Sequence, residues 1–310
     1  SDESLMYDKI PFGIPVLDSL LGGGIPRKRI SIFTGQSNGG KTYMALQAAK
    51  SIQKAGGIPV WIDAEMSWDN KWAVKCGLDP AKILVSQPTN GEQAFDIMRD
   101  AMNDGVDLVV LDSIAGLVPT KVQDENFSYN PMAWQARFMN QSFPKIMPSL
   151  RNNTAIIFIN QTRSSMGPVF LDNMPGGIGQ TYFSHNIIRI RRAGWIEEKE
   201  VKVGFMIGIR LMKTKVGGQF QGYCEIPFRV EGGIDFTEMY IRSAIDKGII
   251  KKSGAWFKVE WLEKQVAGMN GLRDFFINNP LEHEELKKRA GDLQPIVLED
   301  IDDVDMPEEE

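Results

Sequence analysis

The residues with the clearest chemistry run Gly35-Gln36-Ser37-Asn38-Gly39-Gly40-Lys41-Thr42. Their spacing fits G-x-x-x-x-G-K-[ST], the Walker A phosphate loop. Glycine lets the backbone curl tightly enough for successive N–H groups to point at one set of phosphate oxygens. Lys41 then reaches the β- and γ-phosphates, and the Thr42 hydroxyl is placed to ligate Mg²⁺. A helix starting at this point adds the positive end of its dipole.

Further reactive groups lie downstream. Ile58-Pro-Val-Trp-Ile-Asp63-Ala-Glu65 is an apolar run ending in two carboxylates, and parallel α/β sheets carry functional groups at the C-terminal ends of their strands. Glu65 is placed to activate a water for attack on a γ-phosphate; the alternative is an acidic strand end that caps the next helix. Trp68, Asp69 and Trp72 follow, and an indole here either stacks on adenine or packs in the core. Asp107-Leu-Val-Val-Leu-Asp112-Ser113 is a second apolar run ending in Asp, a Walker B pattern that would complete a Mg²⁺ shell opposite Thr42. A third run ends in two amides, Asn160 and Gln161.

Thr162 to Gly177 has no helical or strand period and combines Arg163 with Met166, Val169 and Phe170. Apolar side chains beside a basic one on a loop suit single-stranded nucleic acid; a lid over the nucleotide is the alternative. Lys213 and Lys215 are two apart and share one face of a strand. They serve either solubility or the phosphates of another subunit's nucleotide.

These groups need a scaffold. Arg29 to Thr34 predicts a strand entering the phosphate loop, and Lys41 to Lys54 a helix closed by Gly56-Gly57. Strands are expected over 58–65, 83–88, 107–113 and 154–161, and a helix over Gly91–Met102 with Phe95, Met98 and Met102 on one face. Phe12 to Pro26 predicts a short helix stopped by three glycines. Thr120 to Pro131 reads as a loop before a helix from Met132, which Pro144 and Pro148 should kink or break. Ile187–Arg192 and Val203–Lys215 read as an antiparallel extension of the sheet. From Glu238 come a short helix, a β-hairpin and two helices split at Asn279-Pro280. The pattern is α/β, with a mostly parallel central sheet and a small α+β C-terminal domain. The expected division is a lead-in at 1–10, a core at 11–237, a small domain at 238–295 and an acidic disordered tail at 296–310.

Charge hides an asymmetry. The net charge of the 310 residues is −5, but Glu299 to Glu310 holds eight acids and no base, so the rest stands at +3. A tail of this kind either competes with DNA for basic surface or is simply solvated. No apolar run approaches the roughly eighteen residues of a membrane span. Cys76 and Cys224 have no metal or redox spacing, and the polar start is no secretory signal, so reduced thiols in the cytoplasm are expected.

Taken in order, several segments resemble the RecA recombinase family. They are the phosphate loop, Ile62-Asp-Ala-Glu65, Val85-Ser-Gln-Pro-x-x-Gly-Glu-Gln-Ala94, Val109-Val-Leu-Asp-Ser113, Gln135-Ala-Arg137, Phe158-Ile-Asn-Gln161 and Ser253-Gly-Ala-Trp-Phe257. Chain size and local departures resemble a divergent, phage-type member acting in a bacterial or phage-infected cell. The resemblance implies a RecA-like ATPase core, ATP and Mg²⁺ as cofactors, single- and double-stranded DNA as partners, and self-association into a helical filament. Single-strand-binding or mediator proteins would be further partners. It implies that Gly35 to Thr42, with Tyr43, Asp69 and Trp72, hold the nucleotide, and that Thr42 and Asp112 hold the metal. Glu65 would be the general base, Gln161 the γ-phosphate sensor, and Lys213 and Lys215 contacts to ATP from the adjacent subunit. Met132, Arg137, Arg163, Met166, Phe170, Gly176 and Gly177 would meet DNA, with Arg191 and Arg192 in a secondary DNA site. Pro144 stands where an arginine is common, and the segment after Gly177 lacks the bacterial lysine. The expected activity is an ATP-dependent DNA recombinase that pairs and exchanges strands on a filament. Other readings are a ring-forming helicase or translocase of the same fold, or a non-catalytic ATP-gated DNA-binding mediator.

Overall fold

A largely apolar segment with no polar alternation has to be covered on both faces, and four largely apolar strands make the centre of the fold. The computed structural model describes residues 8–118, 120, 131–162, 179–262 and 264–297. The described residues open with β1 (Lys9–Ile10), α1 (Pro15–Leu20) and β2 (Ile25–Pro26), then β3 (Ile30–Gly35), α2 (Lys41–Lys54) and β4 (Pro59–Asp63). Next come α3 (Asn70–Lys75), β5 (Leu84–Ser86), α4 (Gly91–Asn103), β6 (Leu108–Asp112), α5 (Pro131–Ile146), β7 (Ala155–Gln161) and α6 (Gly179–Phe183). The long hairpin β8 (Asn186–Glu198) and β9 (Val201–Thr214) leads to β10 (Gly222–Arg229) and β11 (Gly233–Ile234). The C-terminal unit is α7 (Phe236–Asp246), β12 (Ile250–Ser253), β13 (Trp256–Val259), β14 (Gln265–Ala267), α8 (Gly268–Asn278) and α9 (Pro280–Ala290), followed by β15 (Ile296–Val297).

Ten strands form one sheet in the order β11-β10-β9-β8-β3-β7-β6-β4-β5, with β15 on β10. From β8 through β5 every pairing is parallel, whereas β8–β9, β9–β10 and β10–β11 are antiparallel. Strands β3, β4 and β6 are buried at every position. Alternation sends neighbours to opposite faces. Phe33, Val110 and Ile157 pack with Met44 and Leu46 of α2 on one side. Ile32, Val109 and Phe158 pack with Met98 of α4 and Phe143 of α5 on the other. A third cluster, centred on Ile241, Phe257, Leu272 and Phe276, is the core of the small C-terminal unit.

The α/β class, the parallel centre and the small α+β unit are as the sequence leads one to expect. Three local expectations change. Ile10, expected in a polar lead-in, is buried and pairs with Ile25 in the two-stranded ribbon β1–β2. Pro144 lies inside α5 without ending it, and the break comes at Met147, where Pro148 opens a 3₁₀ turn to Arg151; a ring without an N–H fits that first turn. Ile296 and Val297, expected in the disordered tail, pair with Tyr223 and Gly222. The loop expected at 120–131 falls largely, and the rest of the tail entirely, outside the described residues.

Candidate nucleotide site

Four parallel strands end at one edge of the sheet, and the chemistry collects there. The phosphate loop turns from β3 into α2 through Asn38 at φ 60° and Gly40 at φ 97°. At Gly35 a Cβ would lie 1.9 Å from the Ile190 carbonyl oxygen, so only glycine lets β8 pass this close. Lys41 is 5% exposed, and its Nζ donates to the Gln36 carbonyl at 2.6 Å. Burial pulls its pKa down, opposed by the charges of Asp112 and Glu65. The Thr42 hydroxyl donates to Asp112 Oδ2 at 3.1 Å.

Asp112 closes β6 and is buried. Burial, then the neighbouring Glu65 charge, pushes its carboxyl up to about 7 against the opposing Thr42 hydrogen bond. A buried carboxylate beside a hydroxyl is a hard oxygen donor set. It fits Mg²⁺ held jointly by Thr42, Asp112 and phosphate oxygens.

Glu65 lies just past β4 on a turn built by Asp63. The fully buried Asp63 carboxylate accepts from the Ser67 N–H at 3.0 Å, the Trp68 N–H at 2.9 Å and Gln87 Nε2 at 2.9 Å. Asp63 therefore shapes the turn, and the cap of α3 is Asp69, which accepts from the Lys71 N–H at 2.7 Å. Glu65 takes part in neither. Its Oε1 accepts from Gln161 Nε2 at 2.7 Å and from the Ser113 hydroxyl. The Ser37 hydroxyl donates to Gln161 Oε1 at 3.1 Å. Phosphate loop, general-base candidate and β7 terminus are thus one hydrogen-bonded chain. Sequence reasoning quoted Ser113 and Asp63 within motifs without giving them a role, because a linking hydroxyl and a turn-forming carboxylate have no spacing of their own.

Beside Asp112 and Thr42 opens a cleft walled by Leu46, Trp61, Trp68, Asp69 and Trp72. Trp68 leans on Trp61 with ring centroids 5.4 Å apart and donates through Nε1 to Asn70 Oδ1. Trp72 is 36% exposed and faces Tyr43, so of the two indoles it is the more open to a base. The Tyr43 ring is buried 4.5 Å from Phe228.

The remaining sequence-derived residues divide. Arg137 is exposed on α5. Arg191 and Arg192 are adjacent but diverge: Arg191 Nη2 donates to the Tyr223 hydroxyl at 3.3 Å, and Arg192 lies over Trp195. Lys213 donates to the carbonyls of Thr181 and Ser184, and Lys215 to that of Tyr182 at 3.0 Å. Both lysines hold the end of α6 in their own subunit. Burial, then the Lys215 charge, brings Lys213 down to about 8. The Met132 side chain and all of Arg163, Met166, Phe170, Gly176 and Gly177 lie outside the described residues.

A family model for the RecA N-terminal domain matches residues 2–235. The chain belongs to the RecA family. The protein named Protein RecA from Aquifex pyrophilus is 35% identical over 96% of this chain and 86% of its own length. That from Malacoplasma penetrans is 36% identical over 94% of this chain and 89% of its own. Protein RecA of Aquifex aeolicus is 37% identical over 83% and 76% respectively. The match of this RecA-family chain to the N-terminal domain model ends where α7 begins. No helix among its described residues is long and apolar enough to cross a membrane.

Proposed function

We propose that this RecA-family chain is an ATP-dependent DNA recombinase that assembles on single-stranded DNA, pairs it with a duplex and exchanges strands. The observation that carries the reading is the chain Ser37–Gln161–Glu65–Ser113. It links the loop that cradles phosphates to the base that activates the attacking water and to the strand leading into residues 163–178.

The chemistry follows from the groups in place. Backbone N–H groups of Gly35 to Thr42 and the Lys41 ammonium bind the triphosphate, and the cleft at Trp72 and Asp69 takes the base. Mg²⁺ held by Thr42 and Asp112 supplies neutralising charge at the phosphates. Glu65 accepts the proton of the attacking water. Its hydrogen bonds to Gln161 and Ser113 orient the carboxylate, and an amide that turns from Glu65 to a γ-phosphate reports nucleotide state to the segment after β7. Lys213 and Lys215 reach a neighbouring subunit's nucleotide by giving up the α6 carbonyls.

The test is DNA-stimulated ATP hydrolysis and strand exchange by the wild type and Glu65→Gln. Loss of a general base costs about 10²–10⁴-fold in rate, so the variant should bind ATP and turn it over at least about 100-fold more slowly. Unchanged hydrolysis would overturn the assignment of Glu65. Closed six-fold rings in negative stain with an ATP analogue and single-stranded DNA would favour a translocating motor. No stimulated hydrolysis by the wild type would favour a mediator.

A further inference from the structure

Tyr43 follows Thr42 in the first turn of α2, yet it does not wall the cleft beside Asp112. Its ring is 9% exposed and packs among three other elements. It meets Trp72 of α3 at 6.5 Å between centroids and Phe228 of β10 edge-on at 4.5 Å. Its hydroxyl faces the backbone N–H of Ile234 in β11. A Cβ at Gly233 would lie 2.9 Å from that hydroxyl, so the β10–β11 turn closes directly on the ring. Trp72 lines the cleft, and Tyr43 therefore reaches a bound base through Trp72.

In the other direction Tyr43 leads to the small C-terminal unit. Tyr43, Phe228 and Met239 of α7 are buried in one apolar cluster, with Ile234 packed against it. Asp235 follows Ile234. It caps α7 by accepting from the Glu238 N–H at 3.0 Å, and it pairs with Arg229 and with Arg273 of α8. A shift of β11 at Ile234 thus moves the carboxylate around which α7 and α8 are held. Trp72, at the cleft end, is the loosest member of the series. It is 36% exposed on a six-residue helix in which only Ala73 is buried. An element with so few contacts is ordered most by a ligand that stacks on it.

We propose that Tyr43 is a positioning residue that couples the base cleft to the small C-terminal unit. A base stacked on Trp72 fixes the indole against Tyr43. The fixed ring holds β11 at Ile234, and with it Asp235 and α7. Phosphates alone, bound at Gly35 to Thr42, do not load this path. The coupling rests on the reading of the cleft as a base site and adds to it a response of the small unit.

The experiment compares two probes on the full chain with Mg²⁺: a non-hydrolysable ATP analogue, and inorganic tripolyphosphate, which brings the phosphates without the base. Hydrogen exchange is read at saturating probe. Both probes should slow exchange at the phosphate loop. Only the analogue should slow it in α7 and α8, by about fivefold or more. Tyr43→Phe, which keeps the ring and loses the hydroxyl, should abolish that protection of the small unit. Tyr43→Ala should weaken analogue binding about five- to tenfold more than tripolyphosphate binding, the range of one lost aromatic pair. Tyr43→Phe should recover this selectivity for the base, whereas a merely structural role would weaken both probes equally. Equal protection of α7 and α8 by tripolyphosphate, or protection by the analogue that survives in Tyr43→Phe, overturns the proposal. So does an equal loss of both probes in Tyr43→Ala. If Tyr43→Ala does not fold, the wild-type comparison and Tyr43→Phe decide in its place. Wild-type protein that binds neither probe overturns the nucleotide reading as well, whereas binding of both without a difference in the small unit overturns this coupling alone.

Discussion

His185 precedes β8, and its Nδ1 accepts the Ile30 N–H at 3.3 Å. Burial, followed by the charges of Arg29, Lys215 and Lys213, brings its pKa down to about 4. The unfolded chain takes up this proton near pH 6.5 and the folded one only near 4, so the unfolded state binds more protons between those values. Stability from this residue is complete above pH 6.5 and is lost as pH falls towards 4. After discounting for partial exposure the effect is about 1–2 kcal/mol. Urea unfolding of the wild type should show this slope between pH 4 and 6.5, and His185→Asn, which keeps an acceptor but does not titrate, should flatten it. Identical slopes would remove His185 as the cause. Single residues differ in how far their spacing reveals them. Lys41, Thr42 and Asp112 were legible because phosphate and Mg²⁺ chemistry fixes both their types and their positions along the chain. Ser113 and Asp63 act through contacts to residues that only the fold brings near, so their roles were not.

The same division holds for whole elements. Strands β4, β6 and β7 were legible as apolar runs with polar residues only at their ends, since a strand between two helical layers has no wet face to mark; β3 was legible from its place before the phosphate loop. Strand β10, Gly-Tyr-Cys-Glu-Ile-Pro-Phe-Arg, was not, because Glu225 and Pro227 interrupt the run and its two-residue partners β11 and β15 are too short to carry a pattern. The close passage of β8 over the phosphate loop was equally hidden. It explains why Gly35 is glycine for packing as well as for phosphate. A Cβ there meets the Ile190 carbonyl at a backbone φ of 148°. Gly35→Ala should therefore cost about 3 kcal/mol or more in urea unfolding. It should also weaken ATP binding, since either the loop or the hairpin has to move. Gly56→Ala, where φ is 81° but nothing lies within 4 Å, isolates the backbone term at about 1 kcal/mol. Equal losses at the two sites would show that contact with β8 is not what Gly35 accommodates.

For the whole molecule the question is what joins the small C-terminal unit to the core. The unit has an apolar cluster of its own, although Met239 of α7 is buried in the core's cluster and Tyr240 packs against both, and an ion network reinforces the joint. Arg229, at the end of β10, is 7% exposed at its side chain and pairs with Asp235 at 2.7 Å, Glu238 at 3.2 Å and Glu198 of the hairpin. Arg273 of α8 adds a second cation on Asp235, and Arg242 pairs with Glu238 at 2.7 Å. Burial opposes ionisation of Asp235, but the Glu238 N–H, Arg273 and Arg229 outweigh it and hold the carboxyl below its ordinary range. The participants are scattered from residue 198 to 273, so nothing in the sequence marks them as a group. Removing one partner from a buried network leaves uncompensated charge, at about 3–5 kcal/mol. Arg229→Met should cost that much, whereas Arg242→Ala, with a side chain 40% exposed, should cost under about 1 kcal/mol. The loss from Arg229→Met should also be local. Hydrogen exchange should show α7, α8 and β12–β14 opening at lower free energy than β3, β6 and β7, whose burial the substitution does not touch. Uniform loss of protection across both parts would mean that the core depends on the joint. Unchanged protection in the small unit would mean that its own apolar cluster and backbone contacts, not this ion network, set its opening.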